Sequence, residues 1–439
     1  MIGLKSISFD SSRLAIAVLA LCASCGQALA DDPPPVPSRQ VFYSAVQPLT
    51  DTIEQVQRDP RPTTAAGALK VFDWLIYSKF DLGAAYDSNI FASPNQQTAA
   101  YGPRFQPTII AERNTGIQRT LLYGYGDLRY YPSLGQTDVL NTSAGLTHVW
   151  EIYRDLVFRT QFEATRSQET SSLLNEGPVL FTQPVNYTSL FGSASIEKSF
   201  GRFFTAFGGS ITGNAYDDTK NSLGTVIDEQ FQDGTRSTLN ARFGYHISPI
   251  VYAFVEPSVN LGRFRASNLD SDGYQIAGGL GTGRIGKFSG EIYGGFLTEH
   301  FSEPSTPTLT RPIYGARLTW SPHRFVTVTA SVEQRFGTSD FSPTLFTNGS
   351  PTIIDSYKVA ADWFVLRNVD LQARAQFQHY DYFGSSRVDQ FQLYGFKATY
   401  FLTDQIGITL DYNYGMLTSN FPGVAYNRNF VSLGATSHF

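Results

Sequence analysis

Asn429-Phe-Val-Ser-Leu-Gly-Ala-Thr-Ser-His-Phe439 is the stretch on which the fold turns. Counted back from Phe439, Ala435, Leu433 and Val431 fall on one face; His438, Thr436, Gly434, Ser432 and Phe430 fall on the other. Side chains of a strand alternate between faces, so this reads as a strand with one apolar and one mostly polar side. Soluble chains usually fray at their ends. A strand that stops on an aromatic is expected instead where it must pair with the first strand and leave no open edge in lipid.

The alternation recurs upstream. Phe72, Trp74, Ile76, Phe80, Leu82, Ala84 and Tyr86 oppose Asp73, Tyr77, Lys79, Asp81 and Asp87. Later, Val369, Leu371, Ala373, Ala375 and Phe377 oppose Asp370, Gln372, Arg374, Gln376 and Gln378. Similar runs lie near 104–113, 117–130, 140–152, 156–166, 187–199, 203–213, 235–247 and 250–261. More follow near 273–284, 288–298, 311–320, 325–336, 353–364, 390–402, 406–414 and 427–439, about eighteen in all, with sixteen also compatible. Short turn signals stand at Asn114-Thr-Gly116, Arg154-Asp155, Gly201-Arg202, Ser248-Pro249, Gly286-Lys287, Ser321-Pro322, Arg367-Asn368 and Thr403-Asp404. Longer polar connections, notably 87–103, 167–185, 214–230, 299–309 and 337–352, alternate with them. The pattern predicts an all-β, transmembrane, antiparallel up-and-down barrel over 71–439, with short periplasmic turns and long extracellular loops.

The residues before the barrel read differently. Lys5 and Arg13 flank the apolar run Leu14 to Cys25, and Ala28-Leu-Ala30 supplies small residues for cleavage, so 1–30 is expected to be a secretory signal peptide. Cys25 would suit a lipid anchor, but Cys22 stands where such signals place Leu. Both cysteines fall within the signal, leaving the mature chain neither a disulfide nor a thiol nucleophile. Removing Lys5, Arg13 and Asp10 moves the formal net charge from −5 to −6, which argues against a nucleic-acid partner. Residues 31–70, opening Asp-Asp-Pro-Pro-Pro-Val-Pro, read as a periplasmic lead-in that could enter the barrel mouth.

A soluble β-propeller is the competing all-β reading, because the turns recur every 35 to 47 residues. Each interval holds two long strands rather than four short ones, and no Gly-His or Trp-Asp signature repeats. The tryptophans also speak against it. Trp74 opens the first strand, and Trp150, Trp320 and Trp363 each lie within four residues of a short turn, all on the apolar face. Trp prefers the membrane interface, where its ring is buried and its N–H stays wet, so the four are expected to form an aromatic girdle.

The C-terminal stretch resembles the assembly signal of outer-membrane barrels, with Ser432, Gly434 and Phe439 matching and Ser437 departing from the usual hydrophobic residue. Gln57-Arg-Asp-Pro-Arg-Pro62, Gly67-Ala-Leu-Lys-Val71 and Ala85-Tyr-Asp-Ser-Asn-Ile-Phe91 resemble the putative β-barrel porin type 2 family. Thr63-Thr-Ala-Ala66 departs from the more acidic and aromatic turn expected there. The resemblance implies a barrel of the Gram-negative outer membrane, inserted by the barrel assembly machinery and in contact with lipopolysaccharide. Some relatives are associated with exopolysaccharide secretion.

No catalytic constellation emerges, and no enzyme or cofactor is expected. His148, His246, His300, His323, His379 and His438 make no metal-spaced pair with one another or with a carboxylate. No Ser is ordered against a His. Asp217, Asp218, Asp228 and Glu229 could bridge divalent ions to lipopolysaccharide, but read rather as a plain solvated acidic loop, without the spacing of a calcium loop.

The inward face is the informative set. It carries Arg159, Glu163, Arg242, Glu256, Glu291, Arg317, Glu333, Lys358, Asp362 and Arg374, with Asn240, Gln372, Gln376 and Gln378. A basic residue at mid-depth costs about 2–4 kcal/mol on the lipid face, so these are expected to line the lumen. Two readings of their mixed signs stand: salt bridges across a plugged interior, or a wall facing water that sets a transverse field. Barrels of about 16–18 strands normally leave an aqueous channel. The expected function is a passive channel for small hydrophilic solutes with weak ion selectivity. The alternatives are a barrel for polysaccharide export or anchoring, with inward Tyr77, Tyr252, Phe254 and Tyr293 stacking on sugars, and a structural barrel plugged by its lead-in.

Overall fold

A computed structural model describes residues 69–438 except 96, 135–137, 170–184, 221–225, 286, 305, 324, 340–349, 384 and 422–423. The proposed signal peptide, most of the lead-in and Phe439 therefore lie outside the described residues. Eighteen long strands follow in order, beginning with β1 Trp74–Asp87, β2 Ala100–Asn114, β3 Gln118–Arg129, β4 Val139–Tyr153, β5 Leu156–Glu169 and β6 Val185–Phe200. Next come β7 Phe203–Tyr216, β8 Gly234–His246, β9 Val251–Phe264, β10 Ser271–Ile285, β11 Phe288–Phe301 and β12 Leu309–His323. The last six are β13 Val326–Ser339, β14 Ser350–Leu366, β15 Val369–Tyr382, β16 Val388–Phe401, β17 Ile406–Ser419 and β18 Tyr426–His438. Each strand pairs antiparallel with the next. β18 returns to β1 from Lys79↔His438 to Asp87↔Phe430, closing the sheet into a barrel.

The pairing registers keep the alternating faces aligned around the wall. Leu82 lies opposite Phe105, Ile196 opposite Phe207 and Ile292 opposite Ala316. This outer face leaves Leu82, Phe162, Phe296 and Leu433 more than half exposed. In water that would be a large unfavourable apolar surface; facing hydrocarbon it costs nothing. The opposite face carries polar residues, with aromatic rings laid over glycines of neighbouring strands. A Cβ on Gly281 would come 2.0 Å from the Tyr252 ring, and one on Gly315 would come 2.4 Å from Tyr293.

Three details depart from the sequence reading. Phe72 does not open β1 but occupies a tight turn at φ 54°. Leu69–Val71 doubles back through that turn and pairs with Trp74–Ile76. Because β18 reaches only Lys79, this short strand covers the edge of β1 that β18 leaves bare. Alternation does not reveal such a turn, since three residues are too few to show that their faces have exchanged parity with those of β1. Ser321-Pro322 is not the turn either: both residues lie in β12, where the ladder shifts register between Trp320 and His323. Proline lacks an N–H, and an irregular ladder end tolerates it. Finally, the strands run two to four residues into several expected loops, to Glu169 on β5 and from Ser350 on β14, because polar residues continue the backbone ladder.

Candidate functional site

The inner wall is the site to build. Arg242 on β8 is ion-paired to Glu256 on β9, and its other arm donates to Glu291 on β11 at 2.9 Å. The Tyr252 hydroxyl donates to Glu291 at 2.7 Å, and the Arg242 guanidinium lies 4.0 Å above the Phe254 ring. Arg317 stands directly opposite Glu291 across the β11–β12 ladder. Strand register makes these neighbours: Arg242 and Glu256 come from one hairpin, and inner positions of β9 and β11 are separated only by small Ala277, Gly279 and Gly281.

A second group spans the closing seam. Arg104 on β2 donates to Asp127 on β3 at 2.9 Å and to Asp411 on β17 at 3.3 Å. Arg129 meets Asp127 at 2.5 Å. Asp81 on β1 lies 3.4 Å from Lys79 and 3.7 Å from Lys397 on β16. Asn413 donates to Asp411 at 2.9 Å and accepts from Arg374 at 2.6 Å. The cleft between these residues measures only about 20 Å³, too small for a solute.

The remaining expected residues are dispersed. Arg159 faces Glu197 at 3.4 Å. Glu163 is 2% exposed and held by hydroxyls of Tyr123 (2.6 Å), Ser143 (3.0 Å) and Thr165 (3.1 Å). Glu333 stands opposite Gly315 and Ser356, Lys358 opposite Ser331 and Gln376, and Asp362 opposite Thr327 and Gln372. The sequence reading thus named Arg242, Glu256 and Glu291, which meet, but left out Arg104, Asp127, Arg129, Lys397 and Asp411, which also meet. The alternation of Thr409, Asp411 and Asn413 against Ile408, Leu410 and Tyr412 would have found part of that set.

Tyr252 and Phe254 sit beside Phe204 and His246, with the Phe204 and Tyr252 rings 5.7 Å apart, whereas Tyr77 lies elsewhere, against Ile110 and Leu121. Phe254 and Phe204 are buried, Phe254 beneath Arg242, which leaves little ring surface there for stacking. In the acidic loop, Asp217 is ion-paired to Arg166, and the Asp218 and Asp228 carboxylates accept from Gln230 at 3.1 Å and 2.9 Å. Among the described residues, no three His, Cys, Asp or Glu side chains gather as a metal site.

Trp74, Trp150, Trp320 and Trp363 all fall at the short-turn end on the outer face; Trp320 stacks on Phe288 at 6.0 Å. Ser432 lies opposite Asp411 and Ala85, and Gly434 opposite Gly83 and Thr409.

Among solved structures, the chain is similar to the outer membrane protein OpdK of Pseudomonas aeruginosa, at 10% identity over 83% of this chain and 99% of that chain, with a TM-score of 0.41. It is similar to OpdL of the same organism at 12% identity, covering 84% and 100%, with a TM-score of 0.40. The siderophore receptor PirA of that organism is similar at 9% identity, covering 83% and 80%, with a TM-score of 0.37. No curated protein matches the sequence. The family model described as "Putative beta-barrel porin 2" matches residues 61–439, every strand of the barrel, and the chain belongs to that family of Gram-negative outer-membrane β-barrels.

Proposed function

We propose that the barrel is a passive channel for small hydrophilic solutes with weak selectivity between anions and cations. The observation that carries this reading is how the inner charges are arranged. Arg242 and Arg317 stand with Glu256 and Glu291, and at the seam Arg104, Arg129, Lys79 and Lys397 stand with Asp127, Asp411 and Asp81. Each group is near neutral and held against the wall by its own hydrogen bonds, so neither sign dominates the field along the lumen. A wall of eighteen strands is wide enough to enclose water beyond such groups. We assign it transport and no catalysis. Purified, folded barrel added to a planar bilayer should give discrete conductance steps. Silence from protein shown to be folded would remove the reading.

A further inference from the structure

By strict alternation Phe336 belongs to the outer face of β13, with Val328 and Val332. Its side chain is not there. Its ring lies 5.8 Å from that of Phe301, an inner-face residue of β11, and it packs against the inner-face cluster Ala277, Leu297 and Ile313. The Arg236 guanidinium, from the inner face of β8, sits 4.8 Å above the same ring. β8 and β13 are five strands apart, about 24 Å along the wall at the usual strand spacing. An arginine and a phenylalanine cannot bridge that arc between them, so the long-loop end of β13 has left the wall.

The ladder records the departure. β12 and β13 pair only as far as Gly315↔Glu333, although β12 continues to Leu309 and β13 to Ser339. β14 follows β13 over its whole length, from Val326↔Trp363 to Ser339↔Ser350, so the two bend together. β15 goes with them: Arg311 on β12 reaches Asp381 at 3.9 Å, and Phe301 on β11 lies 6.3 Å from Phe383 just past β15. Leu297 on the inner wall is only 3% exposed, which an open lumen would not allow at that position.

We infer that the inward-bent ends of β13 and β14 form the narrowest part of the lumen, and that Phe336 is the wedge setting the largest solute that passes. This rests on the channel reading above. The apolar patch Ala277, Leu297 and Ile313 is the seat of the wedge, since an apolar patch in an otherwise polar lumen is stable only when covered. Arg236 caps the ring on its lumen side by a cation–π contact.

Two measurements separate this inference from the reading beneath it. Phe336→Ala, checked for folding by heat-modifiable mobility and accompanied by Phe336→Leu, should raise the conductance step about twofold, as the flow through a narrow neck follows its cross-section. It should also admit larger sugars in liposome swelling, with Phe336→Leu in between. Independently of conduction, Leu297→Cys should react slowly with a membrane-impermeant maleimide while Phe336 is present, and as fast as Ser302→Cys once Phe336 is Ala. A conducting wild type whose step is unchanged in Phe336→Ala overturns the inference and leaves the channel standing. Rapid labelling of Leu297→Cys beside an intact Phe336 overturns it on structural grounds. Silent wild-type bilayers together with the expected labelling overturn the channel reading, and with it the role of Phe336 in solute size.

Discussion

The closing seam depends on two glycines that face each other, Gly83 on β1 and Gly434 on β18. A methyl group on Gly434 would stand 2.5 Å from the Leu82 carbonyl oxygen and 2.9 Å from Gly83 Cα, where ordinary contact begins at 3.4 Å. Both obstructions are backbone, so no side chain can rotate away. The strands would have to part by about 1 Å, and such overpacking costs about 1–3 kcal/mol, here toward the upper end. If the ladder opened around Gly83 instead, two or three backbone hydrogen bonds at about 1 kcal/mol each would be lost, the same sum. Gly434→Ala should therefore destabilise the folded barrel by about 3 kcal/mol. Equilibrium unfolding in urea, followed by heat-modifiable mobility, measures it. Gly124→Ala on β3 is the control, because nothing lies within 4 Å of its Cβ. That change should be neutral or stabilise by about 0.4–1 kcal/mol. If the two substitutions fall within about 1 kcal/mol of each other, close approach at the seam is not what glycine provides.

Arg242→Leu leaves Glu256 and Glu291 together without their arginine and should cost about 3–5 kcal/mol in urea unfolding; adding Glu256→Gln and Glu291→Gln should recover most of it. In the short turn between β4 and β5, the hydrogen bond from Lys198 at 2.5 Å holds the exposed Asp155 carboxyl below the ordinary carboxylate range. A depressed carboxyl stabilises above its unfolded value and loses that effect as pH falls through the folded one. Asp155→Asn should thus lower the melting point at neutral pH, with the gap to wild type closing in strong acid. Phe439→Ala should reduce the amount of barrel inserted in the outer membrane far more than it lowers the melting point of the molecules that insert. Equal effects on both would mean that the terminal ring serves the finished wall rather than assembly.

Period-two alternation carried most of the fold, because one face must meet lipid and the other must not. A single slip of register would exchange every pair of faces, so each strand is strongly specified by its own residues. All eighteen strands could be read this way, as could inner positions such as Arg242 and Glu291. Partnership could not be read. Arg104 and Asp411 are 307 residues apart and meet only because β17, β18, β1 and β2 are consecutive around the closed wall. Phe336 marks where alternation itself fails. Its residue type suits the outer face, and the inward bend shows only in the structure, in the early end of the β12–β13 ladder and in the contacts of its ring. The tight turn at Phe72-Asp73 escaped for a related reason, since Leu69–Val71 is too short to carry a period of its own.

The most direct measurement is the zero-current potential of the reconstituted barrel across a tenfold potassium chloride gradient. A lumen passing only one sign of ion would give about 59 mV, the full single-charge value for a tenfold ratio. Charge groups as balanced as Arg242 and Arg317 with Glu256 and Glu291, and Arg104 and Arg129 with Asp127 and Asp411, predict discrete steps with a potential within about 15 mV of zero. A potential near the full value would contradict weak selectivity, and a folded barrel that passes no current would contradict the channel itself.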